Sequence, residues 1–335
     1  MKYSDAIDFF PSFEKFVFDN IDNATYVAIV KKDVSNPDND DYYFEVRHGS
    51  KTINIGAPSL FRNKKFNEIV NQFPIKKEDF DIDYDDNITL QNRTCKNNYN
   101  PFLSKLEQPN GGCSIANNKF MYLSGTLGAS FKLKNQNSIF FISNFHVLAD
   151  FNSDRFETIM HPSNHDVNTL KPYIEYNPIG TLYWYCIDDY IDAAIAVANC
   201  NSKINSGIRA SNNLSIKSII KPKIGMNVIK CGRTSGLSKG VIRSTICSVM
   251  IKDKRITNNS SGYRIFKNQI LTNCMSLPGD SGSLLMTDDG HPLGLTFAGN
   301  QKTASFHNNL QYIFDKPKIF CNARSMPPIK LDKFL

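Results

Sequence analysis

Long apolar runs are absent from this sequence. Nowhere do about 18 consecutive apolar residues occur, so we expect no membrane-spanning helix and no membrane partner. Residues 1–15, M-K-Y-S-D-A-I-D-F-F-P-S-F-E-K, hold acids and a proline where a secretory signal needs an unbroken apolar stretch. We therefore predict a cytoplasmic location.

Paired cysteines and blocks of one charge are missing as well. The eight cysteines are scattered without a C-x-x-C pair, and in a reducing compartment we expect them to remain thiols. The net charge of +7 comes from 39 basic and 32 acidic residues that are interspersed along the chain. This pattern is typical of a solvated surface, so no nucleic-acid partner is expected.

The first part of the chain, residues 1–108, differs from the rest in its pattern of apolar and polar residues. Apolar residues at helical spacing from Asp5 to Asn20 predict a helix that Pro11 breaks or delays. Short strands are predicted at Thr25–Val30, Tyr42–Val46 and Thr52–Ile55, and a short helix is predicted at Phe66–Phe73. We predict a small α+β N-terminal region with an accessory or regulatory role.

From Gly111 onward the sequence consists of short β-branched and aromatic runs separated by Gly, Asn and Pro. Examples are S-I-F-F-I-S-N-F at 138–145 and D-A-A-I-A-V-A at 192–198. Many short strands with little helical periodicity between them favour barrels or sandwiches over alternating α/β units. The fold class predicted for this part is therefore mainly β.

One serine lies between two glycines in L-P-G-D-S-G-S-L-L, residues 277–285. Ser281 could act as a nucleophile if a base lies within hydrogen-bond reach and if hydrogen-bond donors are positioned to bind the oxyanion that forms. Gly279 lets the backbone turn so that the N–H groups of Gly279 and Ser281 point at one spot. The alternative is a tight turn, since G-D-S-G also suits turns. Ser283 is a second candidate nucleophile without the preceding Gly-Asp.

A base must come from one of six histidines. His146 closes the strand-like run S-I-F-F-I-S-N-F, which places it at the end of a buried strand. A core histidine with satisfied nitrogens is the alternative interpretation. His161 and His165 share the segment H-P-S-N-H, where no acid or cysteine completes a metal-ligand set. We predict a surface loop there and no metal site.

The third group is an acid that can orient the imidazole. Asp192 opens the run D-A-A-I-A-V-A, where a carboxylate at the core edge needs a donor. An imidazole Nδ1–H suits this purpose and fixes the tautomer that base catalysis needs. Asp188 and Asp189 compete for the role. Asp192 is preferred because the apolar strand follows it directly.

Three motifs taken in order, S-N-F-H-V, D-A-A-I and G-D-S-G-S, resemble the chymotrypsin-like (trypsin-fold) serine proteases. K-C-G-R-T-S-G-L-S-K-G-V-I and G-L-T-F-A-G extend the resemblance toward bacterial trypsin-like peptidase-domain proteins, over roughly residues 111–320. The resemblance implies two six-stranded antiparallel β-barrels after the N-terminal region. The first would span 109–205 with His146 and Asp192, and the second 206–335 with Ser281.

The resemblance also implies the roles of the site residues. His146 would be the base, Asp192 its orienting acid and Ser281 the nucleophile, with the oxyanion bound by Gly279 and Ser281 N–H groups. Such proteases cleave a protein or peptide substrate and need no metal or cofactor. In bacterial relatives an internal arginine supports the oxyanion loop, and Arg233 lies at the matching position. We therefore expect a buried ion pair between Arg233 and Asp280.

Three departures from the family pattern are visible. Val147 replaces a disulfide cysteine after the base, which suits a reducing compartment. Members of the family often have a serine whose hydroxyl supports the buried acid. In this sequence the matching position falls near Thr296 or Phe297, so no serine stands there. Met275 holds the pocket-base position, and together with Gly299 it predicts cleavage after an apolar or small residue, not after Lys or Arg.

The leading interpretation is a serine endopeptidase. One alternative is a catalytically silent trypsin-fold binding module that uses its cleft to hold a partner. Another is a protease dedicated to one partner protein or to its own linker, with residues 1–108 as its regulator.

Overall fold

The computed structural model describes most of the chain. The described ranges are 1–36, 38–49, 62–84, 89–90, 105–170, 177–200, 202, 204–209, 214–257, 262–315 and 329–335. Strands dominate these ranges and form two curled sheets, so the predicted mainly β class is confirmed.

The helices are short, except for the first one. They are α1 (Tyr3–Asn20), α2 (Lys64–Val70), α3 (Phe145–Leu148), α4 (Asn164–Leu170) and α5 (Leu310–Asp315), with a 3₁₀ turn at Lys77–Asp79.

Eighteen strands are described, and most of them are short. The first nine are β1 (Ala24–Lys31), β2 (Tyr42–His48), β3 (Phe80–Tyr84), β4 (Thr89–Leu90), β5 (Ser114–Asn117), β6 (Gly125–Thr126), β7 (Ala129–Leu133), β8 (Phe140–Ser143) and β9 (Thr158–Met160). The other nine are β10 (Pro178–Ile187), β11 (Asp192–Ala198), β12 (Asn227–Gly232), β13 (Gly236–Ile251), β14 (Arg264–Asn273), β15 (Leu284–Thr287), β16 (Pro292–Gly299), β17 (Ala304–Asn309) and β18 (Leu331–Phe334).

Three of the elements predicted in the N-terminal region coincide with described elements. The strands predicted at Thr25–Val30 and Tyr42–Val46 are confirmed by β1 and β2. The helix predicted at Phe66–Phe73 overlaps α2. The strand predicted at Thr52–Ile55 lies outside the described residues.

Pro11 does not break the first helix, so that prediction is wrong. The helix α1 runs through Pro11, which lies on its exposed face. Proline removes the hydrogen bond to the carbonyl four residues earlier, here that of Ile7. Ile7 lies on the same exposed side of the helix, 39% exposed. The opposite face is anchored by a buried row that includes Phe9, Phe13 and Val17, and this packing holds the helix together across the proline.

The second sheet contains a closed six-stranded antiparallel barrel. Its strands follow the order β12-β15-β16-β17-β14-β13, and pairing between β12 and β13 closes the ring. Its interior holds an apolar cluster that includes Ile242, Ile270 and Leu285. The six-stranded barrel predicted for this part of the chain is thus confirmed.

The first sheet curls in the same way. Strands β6 and β7 belong to one bent run over 125–133, which pairs with β5 at its start and with β8 at its end. With β11, β10 and β9 between them, this gives six strands around an apolar core. Strand β18 adds to the outer edge of β7.

The strands of the N-terminal region continue the sheet of the second barrel. β1 pairs antiparallel with β13, β2 pairs with β1, and β3 lies parallel to β2. Both faces of β1 are buried: Tyr26 and Val30 join the main core, whereas Val27 and Ile29 pack with α1. The division at residue 108 stays a prediction, but hydrogen bonds and core packing cross it.

A buried carboxylate reinforces this junction. Glu45 on β2 is 1% exposed. It accepts hydrogen bonds from Tyr26 Oη at 2.7 Å and from Arg243 Nη2 on β13 at 2.5 Å. A buried charge requires such partners, because an isolated one would be costly to desolvate. The pairing therefore holds β2 on the barrel.

Candidate active site

Three side chains from distant parts of the chain meet between the two barrels. His146 Nδ1 lies 2.5 Å from Asp192 Oδ2, and His146 Nε2 lies 2.9 Å from Ser281 Oγ. The backbone N–H of His146 also donates to Asp192 Oδ1 at 3.3 Å. All three residues are at most 1% exposed. The residues predicted as base, acid and nucleophile are therefore in hydrogen-bond contact.

Strand pairing explains how the base and the acid come together. His146 lies in α3, directly after β8, and Asp192 is the first residue of β11. β8 and β11 are antiparallel neighbours, with Ala194 opposite Ser143. The end of one strand thus lies beside the start of the other. Ser281 reaches the same point from the turn before β15.

Two asparagines hold Asp192, and the sequence analysis did not find either of them. Asn144 Nδ2 donates to the Asp192 carbonyl oxygen at 2.7 Å. The Asp192 N–H donates to Asn308 Oδ1 at 3.1 Å, and Asn308 in turn donates to Gln269 at 2.7 Å. Asn308 lies on β17, so the second barrel helps to position an acid of the first. Asn144 immediately precedes Phe145 and His146 in the motif, which was the only available signal.

The competing acids have other partners. Asp188 accepts the backbone N–H groups of Tyr190 and Ile191 at 2.7 and 2.8 Å. Asp189 pairs with Arg264 at 3.2 Å. Neither takes the position of Asp192 beside the imidazole.

Thr296 and Phe297, which lie where related proteases have a serine that supports the buried acid, form no hydrogen bond with Asp192 within the described ranges. The Thr296 hydroxyl lies 2.9 Å from Nδ1 of His307, inside the second barrel. The Phe297 carbonyl oxygen lies 3.1 Å from Ser281 Oγ. This part of β16 thus contacts the serine, not the acid.

The backbone around Ser281 presents two N–H groups without acceptors among the described residues. The N–H groups of Asp280, Gly282 and Ser283 donate to backbone carbonyls at 2.8–3.0 Å, whereas those of Gly279 and Ser281 do not. Gly279 has φ +106°, a conformation that favours glycine. These two donors are the ones that the sequence predicted for an oxyanion.

The second candidate nucleophile lies two residues further on. The Ser283 hydroxyl is buried, and within the described ranges it has no hydrogen-bond partner. His146 Nε2 contacts Ser281 instead. The geometry therefore favours Ser281 as the residue beside the base.

The cation on Asp280 is Lys230, so the predicted Arg233–Asp280 pair is wrong. Lys230 Nζ lies 2.8 Å from Asp280 Oδ2, and both side chains are fully buried. The carboxylate also accepts the N–H groups of Thr234, Ser235 and Leu277 at 2.9–3.1 Å. Burial raises the pKa of Asp280, but the Lys230 ammonium and these hydrogen bonds bring it below its ordinary value.

Arg233 forms a buried ion pair with another carboxylate. Its guanidinium contacts both oxygens of Asp166 on α4, with Nε 2.9 Å from Oδ2. α4 precedes β10 and β11 of the first barrel, so this pair joins the two barrels. Arg233 still lies beside Gly279, because a Cβ built on this glycine would lie 2.2 Å from Arg233 Nη1. No sequence signal linked Asp166 to this turn.

His161 is buried, so the surface loop predicted there is wrong for this residue. Its Nδ1 donates to the Ser114 carbonyl oxygen at 2.8 Å, and its Nε2 accepts the Leu106 N–H at 3.0 Å. Burial lowers the pKa of His161 to about 4. Two backbone contacts thus hold a neutral imidazole, which segment polarity alone could not reveal. His165, on α4, is half-buried.

The two predicted pocket residues lie on different parts of the second barrel. Met275 is 5% exposed and packs with the apolar cluster that includes Ile242 and Leu285. Gly299, at the end of β16, is opposite Ser305 on one side and Thr89 of β4 on the other. Their role in substrate selection stays a prediction.

Metal-ligand clusters and membrane-spanning helices are both absent from the described residues. Within those ranges, no group of three or more His, Cys, Asp or Glu side chains is arranged to hold a metal ion. None of the helices there is both long and apolar enough to cross a membrane.

Comparisons with known proteins return similar folds but no family. No family model and no curated protein matches the sequence. Similar solved structures include Nocardiopsis protease, at 14% identity and TM-score 0.45, covering 68% of this chain and 100% of that one. Cellulomonas bogoriensis chymotrypsin is 17% identical, with TM-score 0.43, covering 62% and 93% of the two chains. Thermobifida fusca protease A is 14% identical, with TM-score 0.41, covering 60% and 91%.

Proposed function

We propose that this protein is a serine endopeptidase that hydrolyses peptide bonds of a protein substrate through an acyl-enzyme on Ser281. The observation that carries the proposal is the position of His146. One ring nitrogen lies 2.5 Å from Asp192, and the other lies 2.9 Å from Ser281 Oγ. A serine hydroxyl becomes a nucleophile when an oriented base can take its proton.

The chemistry follows from these contacts. Ser281 Oγ bonds to the scissile carbonyl carbon as its proton passes to His146 Nε2. Asp192 accepts the Nδ1–H and stabilises the imidazolium, while the N–H groups of Gly279 and Ser281 bind the oxyanion. His146 then protonates the leaving amine, and the C–N bond breaks. Water, deprotonated by His146, releases the acid and restores Ser281, so these steps need no metal or cofactor.

Labelling with a fluorophosphonate probe tests the proposal. The Ser281 oxygen displaces fluoride from phosphorus, and its proton goes to His146. We expect wild type and Ser283→Ala to label, and Ser281→Ala and His146→Ala not to label. Equal labelling of wild type and Ser281→Ala would contradict the proposal.

The silent binding module predicts a different result. A folded wild-type protein that does not label, and that remains unlabelled after any occupant of the cleft is displaced, would favour this alternative. The protein partner would then be sought by binding instead of by cleavage.

A specific observation supports regulation by the N-terminal region. β4 pairs antiparallel with the end of β16, with Leu90 opposite Ala298 and Thr89 opposite Gly299. Ala298 directly follows Phe297, whose carbonyl oxygen contacts Ser281 Oγ. An extended substrate can add to an exposed strand edge through main-chain hydrogen bonds. β4 occupies such an edge one residue from the nucleophile's contact, so we propose that it restrains the enzyme.

Substitutions in β4 test this restraint. Leu90→Pro removes a backbone donor and disfavours the strand, whereas Leu90→Ala leaves the backbone able to pair. Loss of one or two hydrogen bonds at about 0.5–1.5 kcal/mol each should raise the labelling rate roughly tenfold in Leu90→Pro. Leu90→Ala should label as wild type does. Equal rates for wild type and Leu90→Pro would contradict the restraint.

A further inference from the structure

The peptide bond between Pro278 and Gly279 decides where the Gly279 N–H points. In a planar trans peptide the carbonyl oxygen and the N–H point in opposite directions. A half-turn of this unit would put the Pro278 oxygen where the donor now stands. That oxygen would repel an oxyanion. The direction of the Pro278 carbonyl is therefore a requirement for any oxyanion site here.

A hydroxyl of the neighbouring turn holds this carbonyl. Thr234 Oγ1 donates to the Pro278 oxygen at 2.7 Å. Thr234 lies in the turn between β12 and β13, on the side of the loop away from the unpaired Gly279 N–H. The approach is close: a Cβ on Gly279 would lie 2.2 Å from the same hydroxyl oxygen. Only glycine allows the loop to lie against the turn in this way.

The direction of the Thr234 hydroxyl is itself fixed. Arg233 Nη1 donates to Thr234 Oγ1 at 3.1 Å, so one lone pair of that oxygen is occupied by a donor. Its own hydrogen is thereby directed toward an acceptor, the Pro278 oxygen. Arg233 is held by both oxygens of Asp166, and the Thr234 N–H donates to Asp280 at 3.0 Å. The turn is thus anchored from both barrels.

We propose that Thr234 is a positioning residue for the oxyanion site: through the Pro278 carbonyl it keeps the Gly279 N–H directed at the reacting centre. Thr234 does not touch the substrate in this scheme. The proposal rests on the proposed serine-protease function. It predicts that removing the hydroxyl weakens oxyanion stabilisation without disturbing His146 or Asp192.

The test compares Thr234→Val, which removes the hydroxyl at nearly constant volume, with Thr234→Ser, which retains it. The rate of fluorophosphonate labelling is measured against probe concentration and pH. We expect the maximal rate of Thr234→Val to fall about tenfold, the effect of one hydrogen bond, with half-saturation and pH midpoint unchanged. Complete loss of an oxyanion donor, at about 10²–10³-fold, sets the upper limit. Thr234→Ser should stay within about twofold of wild type.

A control and a second readout separate the possible failures. Thr287→Val removes a buried hydroxyl of the same barrel that bonds to Asp289, and it should label as wild type does. The amide resonance of Gly279 in ¹H–¹⁵N spectra should shift in Thr234→Val and not in Thr234→Ser. This shift does not depend on catalysis.

Each outcome decides one question. Wild-type labelling and an unshifted Gly279 resonance in Thr234→Val would overturn the positioning role. Equal losses in Thr234→Val and Thr234→Ser would assign the effect to packing and overturn it as well. A shifted resonance in a protein whose wild type and Ser281→Ala label equally would refute the protease function alone, and leave Thr234 as the residue that orients the peptide.

Discussion

The ion pair formed by Lys230 and Asp280 is buried directly beside Ser281. Both side chains are fully buried, and the carboxylate belongs to the residue immediately before Ser281. Burying an ion pair is costly, so such a pair contributes little net stability, but removal of one partner leaves the other charge uncompensated. Lys230 therefore determines whether Asp280 can remain ionised beneath the turn that holds Gly279 and Ser281.

We expect Lys230→Met to lower the free energy of unfolding by roughly 3–5 kcal/mol, because Asp280 would remain buried without its cation. Urea unfolding measures this change. Lys217→Met is the matched control, since Lys217 forms an exposed pair with Asp289 at 3.0 Å. It should cost less than about 1 kcal/mol. Similar losses in the two variants would contradict the assignment.

Side chains that meet in the structure could be picked out from the sequence wherever a local motif marks them. His146, Asp192 and Ser281 could be found because each stands at the edge of a recognisable strand or turn. The partners of Asp280 and Arg233 could not, because the matched turn offers two cations three residues apart and sequence spacing does not say which one points inward. The lysine in the apolar run N-V-I-K-C-G was the available signal, since a charge inside a buried strand needs a counterion.

At the scale of elements, β1 is the link between the N-terminal region and the barrel. Tyr26 and Val30 pack in the same cluster as Val249 of β13 and Phe306 of β17. Tyr26 and Phe306 also form an edge-to-face ring pair with centroids 5.2 Å apart. β1 thus completes the apolar packing over the second barrel and covers the edge of β13.

A chain restricted to 109–335 should therefore fail to fold as a stable monomer, because it would expose the edge of β13 and part of the main core. Size-exclusion chromatography and binding of an apolar dye measure this. Adding residues 1–108 as a separate chain should restore a compact species. A monomeric truncated protein that unfolds cooperatively would contradict the expectation.

The strands themselves were predictable from short apolar, β-branched and aromatic runs, as β1, β2 and β11 show. Their partners were less so, because pairing depends on contacts far apart in sequence. The sequence pattern sets residues 1–108 apart as a region of its own, yet the apolar residues on both faces of β1 require two covering layers. The helix α1 supplies one layer, and the barrel supplies the other.

At the scale of the whole molecule, two buried neutral histidines link stability to pH. Burial lowers the pKa of His161 to about 4 and that of His307 to about 3. His307 lies between the hydroxyls of Thr272 and Thr296, at 3.0 and 2.9 Å. In the unfolded chain both should titrate near 6.5. Below that pH the unfolded state binds more protons than the native state.

The free energy of unfolding should therefore be unaffected by these two histidines above about pH 6.5. It should fall as the pH drops toward 4, by up to about 1.4 kcal/mol per pH unit for each histidine. Urea unfolding between pH 7.5 and 5 measures the slope. His307→Asn should have a shallower slope than wild type, whatever its absolute stability. A wild-type profile that is flat between pH 6.5 and 5 would contradict this linkage.

The pairing of β1 with β13 also sets an order of events during synthesis. Tyr26 lies opposite Val249, about 220 residues further along the chain. At roughly 5–20 residues per second, a ribosome needs on the order of ten to forty seconds to deliver that partner. Until then β2 and α1 can cover part of β1, but the edge that pairs with β13 stays open. The first strand to emerge is therefore completed late, and the speed of translation determines how long its open edge is exposed to other chains.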